Sequence, residues 1–323
     1  MVRTFDYDVL VATYNGAKYL DLQLSSILSQ TIPPSSIIVS DDNSCDMTVD
    51  ILRYWSSLSD IQIKILPTLS RRLGSCRNFE RLLSASKSSY VMLADQDDIW
   101  DRSKAEILLN SIHNLESKYS NKVPLLIHSD LRLIDDTGLV ISSSFFRYQH
   151  LNPRKDSFLD IASQNVVTGC SLLVNRACID LAIPFSNHAI LHDWWLALIA
   201  SRLGRISFFM QPCISYRQHS SNLVGAKGFF RLVLSSLQKL LDSSTYDLWI
   251  GAPIRQLQAI NLRYPYSSKI MNDRIQNLSH SNPFIRIISA LNLGLTKHGL
   301  LRTLTFYIIL LAWVPNNPKA YGV

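Results

Sequence analysis

Apolar runs alternate with amphipathic stretches through the first 130 residues of the chain. YDVLVAT (7–13), SIIVS (36–40), IQIKIL (61–66) and YVMLA (90–94) are rich in β-branched and aromatic residues and bounded by turn formers, which predicts strands. Between them, apolar positions recurring at helical spacing predict helices near Tyr19–Ser29, Thr48–Trp55 and Cys76–Ser84, and another from about Arg102. Such alternation builds βαβ units, an α/β domain whose mostly parallel sheet is flanked by helices. Ligands of such sheets bind at the carboxyl ends of the strands. Polar residues collect there: ATYNG follows the first strand, SDDNS the second and ADQDD the fourth. Further on, LLIHSDLRLIDDTGLVISSSFF predicts a strand, a turn at Asp136-Thr137-Gly138 and a return strand. VVTGCSLLVNRACIDLA predicts a loop, a strand and a helix, and LHDWWLALIASRLG a helix with Asp193 in its first turn and Gly204 at its end. From about Gly225 the pattern is almost wholly helical.

Length and charge divide the chain further. At 323 residues it exceeds a usual single core, and the change of pattern sets an α/β domain over 1–225 and a helical, basic region over 226–323. The net charge of +7 lies entirely in the last third: from Ser220 onward there are eleven Lys and Arg against three Asp, while the first 219 residues hold twenty-one against twenty-two acidic residues. LLRTLTFYIILLAWVP, near the end, is shorter than the roughly 20 residues of a membrane span and predicts an interfacial or buried helix. Basic and apolar together point to an anionic membrane surface, with Phe306, Ile308, Leu311 and Trp313 entering it. A cationic helical subdomain with a buried last helix fits the same composition. The cations are scattered and accompany no recognition motif, so no nucleic acid is expected. The N-terminus enters a strand without an apolar leader, so a cytoplasmic location is expected. An odd number of cysteines, five, without C-x-x-C spacing predicts free thiols.

The chemistry concentrates in Asp95-Gln96-Asp97-Asp98. Carboxylates that close repel and raise one another's pKa, so a cation is expected beside them. Hard oxygen ligands suit Mg²⁺ or Mn²⁺, which would stabilise a diphosphate leaving group. Acidic residues also suit the N-terminus of the helix that follows. In SDDNS, Asp and Ser are ordinary turn residues, yet a strand-end carboxylate can also accept the imide N–H of uracil or thymine.

The ordered series VLVATYNGAKYLDLQLSSILSQT, IIVSDDNSCDMTVDIL, GSCRNFERLL, LADQDDIW, TGCSLLVNR, HDWWLAL and YRQHSSNLVG resembles the family 2 glycosyltransferases of the GT-A fold over roughly residues 6–225, more narrowly the bacterial rhamnosyltransferases of O-antigen and related polysaccharides. The resemblance implies a donor site of Thr13, Asn15, Asp41, Asp42, Asn78, Asp95, Gly169 and Trp194. It implies Asp97 and His219 as ligands of a divalent cation, and Asp193 as the base of an inverting transfer, with Asp98 and Asp130 next in line. Arg71-Arg72-Leu73 stands where the family more often has Asn ahead of the glycine. The implied partners are a dTDP- or UDP-linked sugar, a lipid-linked oligosaccharide acceptor and the inner face of the cytoplasmic membrane. Two other readings compete. A module that keeps the fold without chemistry does not need Asp95, Asp97 and Asp193 together, and a sugar nucleotidyltransferase needs a glycine-rich phosphate loop that ATYNGAKYL lacks.

Overall fold

The computed structural model describes residues 5–219 and 240–315. The chain divides into two compact units, one of Met1–Tyr148, Val167–Phe185 and Leu191–Ala226, the other of Gln149–Val166, Ser186–Ile190 and Lys227–Val323.

In the first unit, β1 (Tyr7–Thr13), β2 (Ser36–Asp41), β3 (Ile63–Ile65) and β4 (Tyr90–Ala94) form the parallel half of a nine-stranded sheet, ordered β3-β2-β1-β4. Val9, Leu10, Val11, Ile37, Val39, Met92 and Leu93 are buried on both faces, which is why these strands are unbroken apolar runs rather than alternating ones. The helices α1 (Leu20–Leu28), α2 (Thr48–Leu58), α3 (Ser75–Ala85) and α4 (Lys104–Tyr119) lie between and after these strands. α1 buries Leu20, Leu24 and Ile27, and α4 buries Ala105, Leu108, Leu109 and Ile112, each a single apolar stripe at helical spacing.

Beyond β4 the sheet turns mixed. The order continues through β8 (Leu172–Asn175), β6 (Leu125–Ile134), β9 (Arg205–Arg217) and the two-residue β5 (Ile99–Trp100), with β7 (Val140–Ser142) paired to β6. β4–β8 and β8–β6 are antiparallel, and β6–β9 is parallel. The long β9 had no counterpart in the sequence pattern: Pro212, which cannot donate to a ladder, sits where the register with β6 shifts, and this interruption hides the strand. α7 (Arg176–Ala182) follows β8, and α8 (His192–Leu203) is buried almost all round through Trp195, Leu196, Ala197, Leu198, Ile199 and Ala200.

The second unit is helical among the described residues. It contains α6 (Phe158–Ser163), α9 (Ala252–Arg263), α10 (Lys269–Asn277), α11 (Pro283–Asn292) and α12 (Leu300–Ala312), whereas the short α5 (Phe145–Gln149) starts in the first unit. A buried arginine ties its last helices together. Arg286 on α11 donates to the carbonyls of Leu310, Leu311 and Trp313, which the end of α12 leaves without intrahelical donors, and to those of His280 and Ser281. No described helix is long and apolar enough to cross a membrane. Two of the residues expected at an interface are corrected: Phe306 and Trp313 are 7% and 3% exposed and belong to the packed side of α12, while Ile308 and Leu311 face outward.

Candidate active site

The ends of β1, β2 and β4 come together as the register dictates, Thr13 beside Asp41 and Val11 beside Ala94. At the β1–β2 end the polar groups form a closed network. Asp41 Oδ1 accepts from Thr13 Oγ1 at 2.8 Å and Ser44 Oγ at 2.5 Å, and its Oδ2 accepts from the Ser44 amide. Asn15 adopts φ +49°, a left-handed conformation that asparagine tolerates, and binds Ser44 Oγ through its amide and the Cys45 amide through Oδ1.

Asp42 and Asn78 hold neighbouring segments. Asp42 accepts the Leu73 and Gly74 amides at 2.6 and 2.9 Å, and Arg72 lies 3.7 Å away, its guanidinium 3.4 Å above the centre of the Tyr14 ring. Asn78 is buried and donates to the Ser40 carbonyl, fastening α3 beneath β2. Like Thr13 and Asp41, these two residues of the expected donor site hold neighbouring backbone, while Asn78 Oδ1 is buried without a hydrogen-bond partner.

The Asp-Gln-Asp-Asp stretch separates into four environments. Asp95 is half-buried, and its carboxyl is pushed up to about 7 by burial, then by the charges of Asp97 and Asp193, with the Lys104 ammonium acting the other way. Gln96 clasps the backbone of Tyr14, accepting from its N–H at 2.7 Å and donating to its carbonyl at 2.9 Å. A Cβ on Gly16 would lie 2.3 Å from Gln96 Oε1, so only glycine admits this clasp. Asp97 Oδ2 is 2.7 Å from His219 Nε2, and the imidazole stacks on Tyr19 with centroids 5.4 Å apart. Asp98 is fully buried, accepts the Arg217 amide at 3.1 Å and lies with Asp95 beside the Cys170 thiol.

Of the two buried cations beside this gathering of acids, Arg217 comes from distant sequence and Lys104 from the helix that follows. Arg217 is buried and donates to the carbonyls of Asp97, Asp135 and Asp136. Lys104 is also fully buried, with Nζ 2.6 Å from the Cys170 carbonyl and 3.3 Å from the centre of the Trp100 ring, and burial lowers its pKa to about 7. Sequence reasoning missed both. Lys104 carried a signal, since it occupies the first position of α4, where the helix dipole disfavours a cation.

Asp193 sits in the first turn of α8 and is 9% exposed. Its Oδ2 accepts the Gly169 amide at 3.0 Å and its Oδ1 the Trp194 amide at 2.5 Å. Burial raises its carboxyl to about 7 against the pull of those amides. Gly169 belongs to a 3-10 turn over Gly169–Ser171 whose Cys170 carbonyl is the one Lys104 holds. A Cβ there would come within 2.5 Å of His192 Nε2, so glycine lets the buried His192 pack between the turn and Phe79, whose ring centroid is 3.8 Å away. Neither nitrogen of His192 has a hydrogen-bond partner, and burial lowers its pKa to about 3, so it is a neutral filler. Trp195 is core, donating to the Ala182 carbonyl, while Trp194 is half-exposed. The alternatives Asp98 and Asp130 are both enclosed: Asp130 accepts from the Leu131, Phe145 and Phe146 amides and from Ser144 Oγ.

The donor set fits a divalent cation. Asp97 would supply a carboxylate oxygen of the kind that suits Mn²⁺ or Mg²⁺ and His219 an imidazole nitrogen 2.7 Å from it, and the raised Asp95 carboxyl beside them marks a cluster short of positive charge.

Comparison with known proteins agrees with this geometry. Residues 8–121 match the family described as Glycosyl transferase family 2. The chain is 30% identical to the dTDP-rhamnosyl transferase RfbG of Shigella flexneri over 68% of its own length and 75% of that protein's. It is 36% identical to an uncharacterized glycosyltransferase of Haemophilus influenzae over 88% of both chains. In fold it is similar to the mannosyltransferase PcManGT from Pyrobaculum calidifontis, crystallised with GDP-Man and Mn²⁺, at a TM-score of 0.54 and 16% identity over 96% of this chain and 87% of that one. S. aureus TarS 1-349 in complex with UDP gives a TM-score of 0.52 at 16% identity, covering 94% and 90%. With a parallel β1–β2–β4 edge ending in clustered carboxylates and relatives of this similarity and coverage, the chain belongs to glycosyltransferase family 2 and has the GT-A fold.

Proposed function

We propose that this chain is an inverting glycosyltransferase that moves L-rhamnose from dTDP-L-rhamnose to a hydroxyl of a lipid-linked saccharide, in bacterial surface polysaccharide (O-antigen) assembly at the inner face of the cytoplasmic membrane. The observation that carries the chemistry is Asp193, a carboxylate held by the Gly169 amide and poised near 7, close enough to Asp95 for its charge to be felt there. A base with that pKa takes a hydroxyl proton at neutral pH and needs no covalent intermediate. The similarity to RfbG supports the choice of rhamnose and of a dTDP carrier.

In this reading Thr13, Asn15 and Asp41 form the base and ribose end, with Asp42 and Asn78 bracing the loops behind it. Asp95 faces the ribose and donor sugar, Gly169 lets backbone approach the sugar, and Trp194 walls its far side. Asp97 and His219 would hold a divalent cation, which when bound would offset the charge of the departing diphosphate. Asp193 deprotonates the acceptor hydroxyl, whose oxygen attacks the anomeric carbon opposite the leaving group. One displacement inverts the configuration.

The test is a panel of dTDP-, UDP- and GDP-sugars with Mn²⁺ and a lipid-linked acceptor, the product linkage read by NMR. The expected result is preferential use of dTDP-L-rhamnose with inversion. Preference for another sugar overturns the donor assignment, and retained configuration overturns Asp193 as the base.

A further inference from the structure

Tyr19 immediately precedes α1, yet its side chain makes no capping hydrogen bond to the helix. Its half-buried ring is turned to another use. The His219 imidazole stacks on it, with planes 24° and centroids 5.4 Å apart, and the Arg217 guanidinium lies 4.5 Å from the same ring centre. Both of those residues reach Asp97. His219 Nε2 stands 2.7 Å from its Oδ2, and Arg217 Nε donates to its carbonyl at 2.9 Å. One ring therefore supports the two groups that the end of β9 brings to Asp97.

The mounting of that ring leads back to the same stretch of chain. The Tyr19 and Leu20 amides both donate to the Gly16 carbonyl at 3.1 Å, which folds residues 16–20 into a turn. Gln96, between Asp95 and Asp97, clasps the Tyr14 backbone two residues before Gly16 and leaves room only for glycine there. Asp97, His219, Tyr19 and Gln96 thus close a circuit. It matters most for His219. β9 ends at Arg217, Gln218 still donates to the Ile134 carbonyl, and His219 lies beyond the strand. An imidazole on a single methylene turns about a broad torsion, whereas a nitrogen ligand must keep its lone pair, which lies in the ring plane, aimed at the ion. A flat ring laid against the imidazole restricts that torsion. Tyr19 does this with its face, while its hydroxyl is hydrogen-bonded to the exposed Lys18.

We propose that Tyr19 is a positioning residue of the cation site, holding the His219 imidazole with Nε2 beside the Asp97 carboxylate so that both are presented to one divalent cation. The proposal rests on the reading of Asp97 and His219 as that cation's ligands.

The test is the binding of Mn²⁺ alone to the full chain, followed by loss of the free-ion EPR signal, with no turnover involved. Tyr19→Phe keeps the ring and should bind as the wild type does. Tyr19→Leu removes it and should weaken binding by roughly tenfold or more, the usual effect of losing a group that orients a metal ligand. His219→Gln should weaken binding at least as much, and adding Tyr19→Leu to it should cost little further, because the ring acts through the imidazole. Tyr19→Met, which fills similar space with a flexible chain, gives the same reading if Tyr19→Leu does not fold. A ring that only packs would lower the melting temperature of these variants and leave the Mn²⁺ affinity of the folded protein unchanged. Wild-type affinity in Tyr19→Leu or Tyr19→Met, with His219→Gln weakened, overturns the proposal alone. Wild-type affinity in His219→Gln, or no Mn²⁺ bound by the wild type, overturns the ligand reading and the proposal with it.

Discussion

Burial lifts the Asp193 carboxyl from 3.8 to about 7, so this one side chain couples activity to stability. A base acts deprotonated. Transfer should therefore rise about tenfold per pH unit up to about 7 and level off above it, and Asp193→Asn should abolish that limb while cutting transfer by roughly 10²–10⁴-fold. Donor binding should survive. The stability consequence has the opposite sign. Because the folded pKa exceeds the unfolded one, the proton favours the folded state: its contribution is complete below about pH 4 and lost as pH rises through 7. At pH 8 the buried charge costs up to about 4 kcal/mol, an upper bound from the size of the shift. Asp193→Asn should accordingly melt higher than wild type at pH 8, with the difference shrinking toward pH 5. Denaturant melts at both pH values check this, and a variant that is less stable at pH 8 would make Asp193 a structural cap. The positions of Asp193, Asp95 and Asp97 were legible in the sequence because a strand end and a helix's first turn advertise themselves, while the roles proposed for them came from the family resemblance. The bracing uses of Asp42 and Asn78 were not, since they depend on Leu73, Gly74 and Ser40 arriving from other segments.

At the scale of elements, α4 and the Gly169–Ser171 turn are linked by one buried amine. Lys104 reaches from the first position of α4 to the Cys170 carbonyl, and the same turn presents the Gly169 amide to Asp193. Its charge also opposes the rise of the Asp95 carboxyl. Lys104→Met keeps the length and apolar stem but removes both the donor and the charge. Asp95 should then hold its proton to higher pH, so that transfer at pH 7 falls on the order of tenfold and partly recovers at pH 9. A pH–rate profile checks it, and a drop that is uniform in pH would reduce Lys104 to packing. The strands β1, β2 and β4 and the helices α1 to α4 were legible because hydrophobic period and turn residues agree along them. β9 escaped because Pro212 and the register shift break its pattern, and with it escaped Arg217, which β9 delivers to Asp97 and Asp98.

For the whole molecule, the balance of charge decides how a diphosphate can be handled. The excess of +7 lies in the residues after Ser220, while the first 219 residues, which supply every described side chain of the candidate site, are one charge negative. Within that site the two buried cations are already committed, Lys104 to the Cys170 carbonyl and Arg217 to the carbonyls of Asp97, Asp135 and Asp136. A nucleoside diphosphate entering beside Asp95 and Asp97 adds further negative charge, and Arg72, a cation at the β1–β2 end, is already shared with the Asp42 carboxylate and the Tyr14 ring. In the proposed reading a divalent cation held by Asp97 and His219 would supply the compensation. Excess EDTA should therefore suppress transfer more than about a hundredfold, and Mn²⁺ in excess of the chelator should restore it. Asp97→Asn should raise the Mn²⁺ concentration needed for half-maximal transfer. Its effect on melting should be small, because asparagine keeps a hydrogen-bonding side chain for His219 at this largely buried position. Full transfer in EDTA would remove the cation from the mechanism and leave the diphosphate to Arg71 and Arg72, whose replacement by Gln would then have to abolish donor binding.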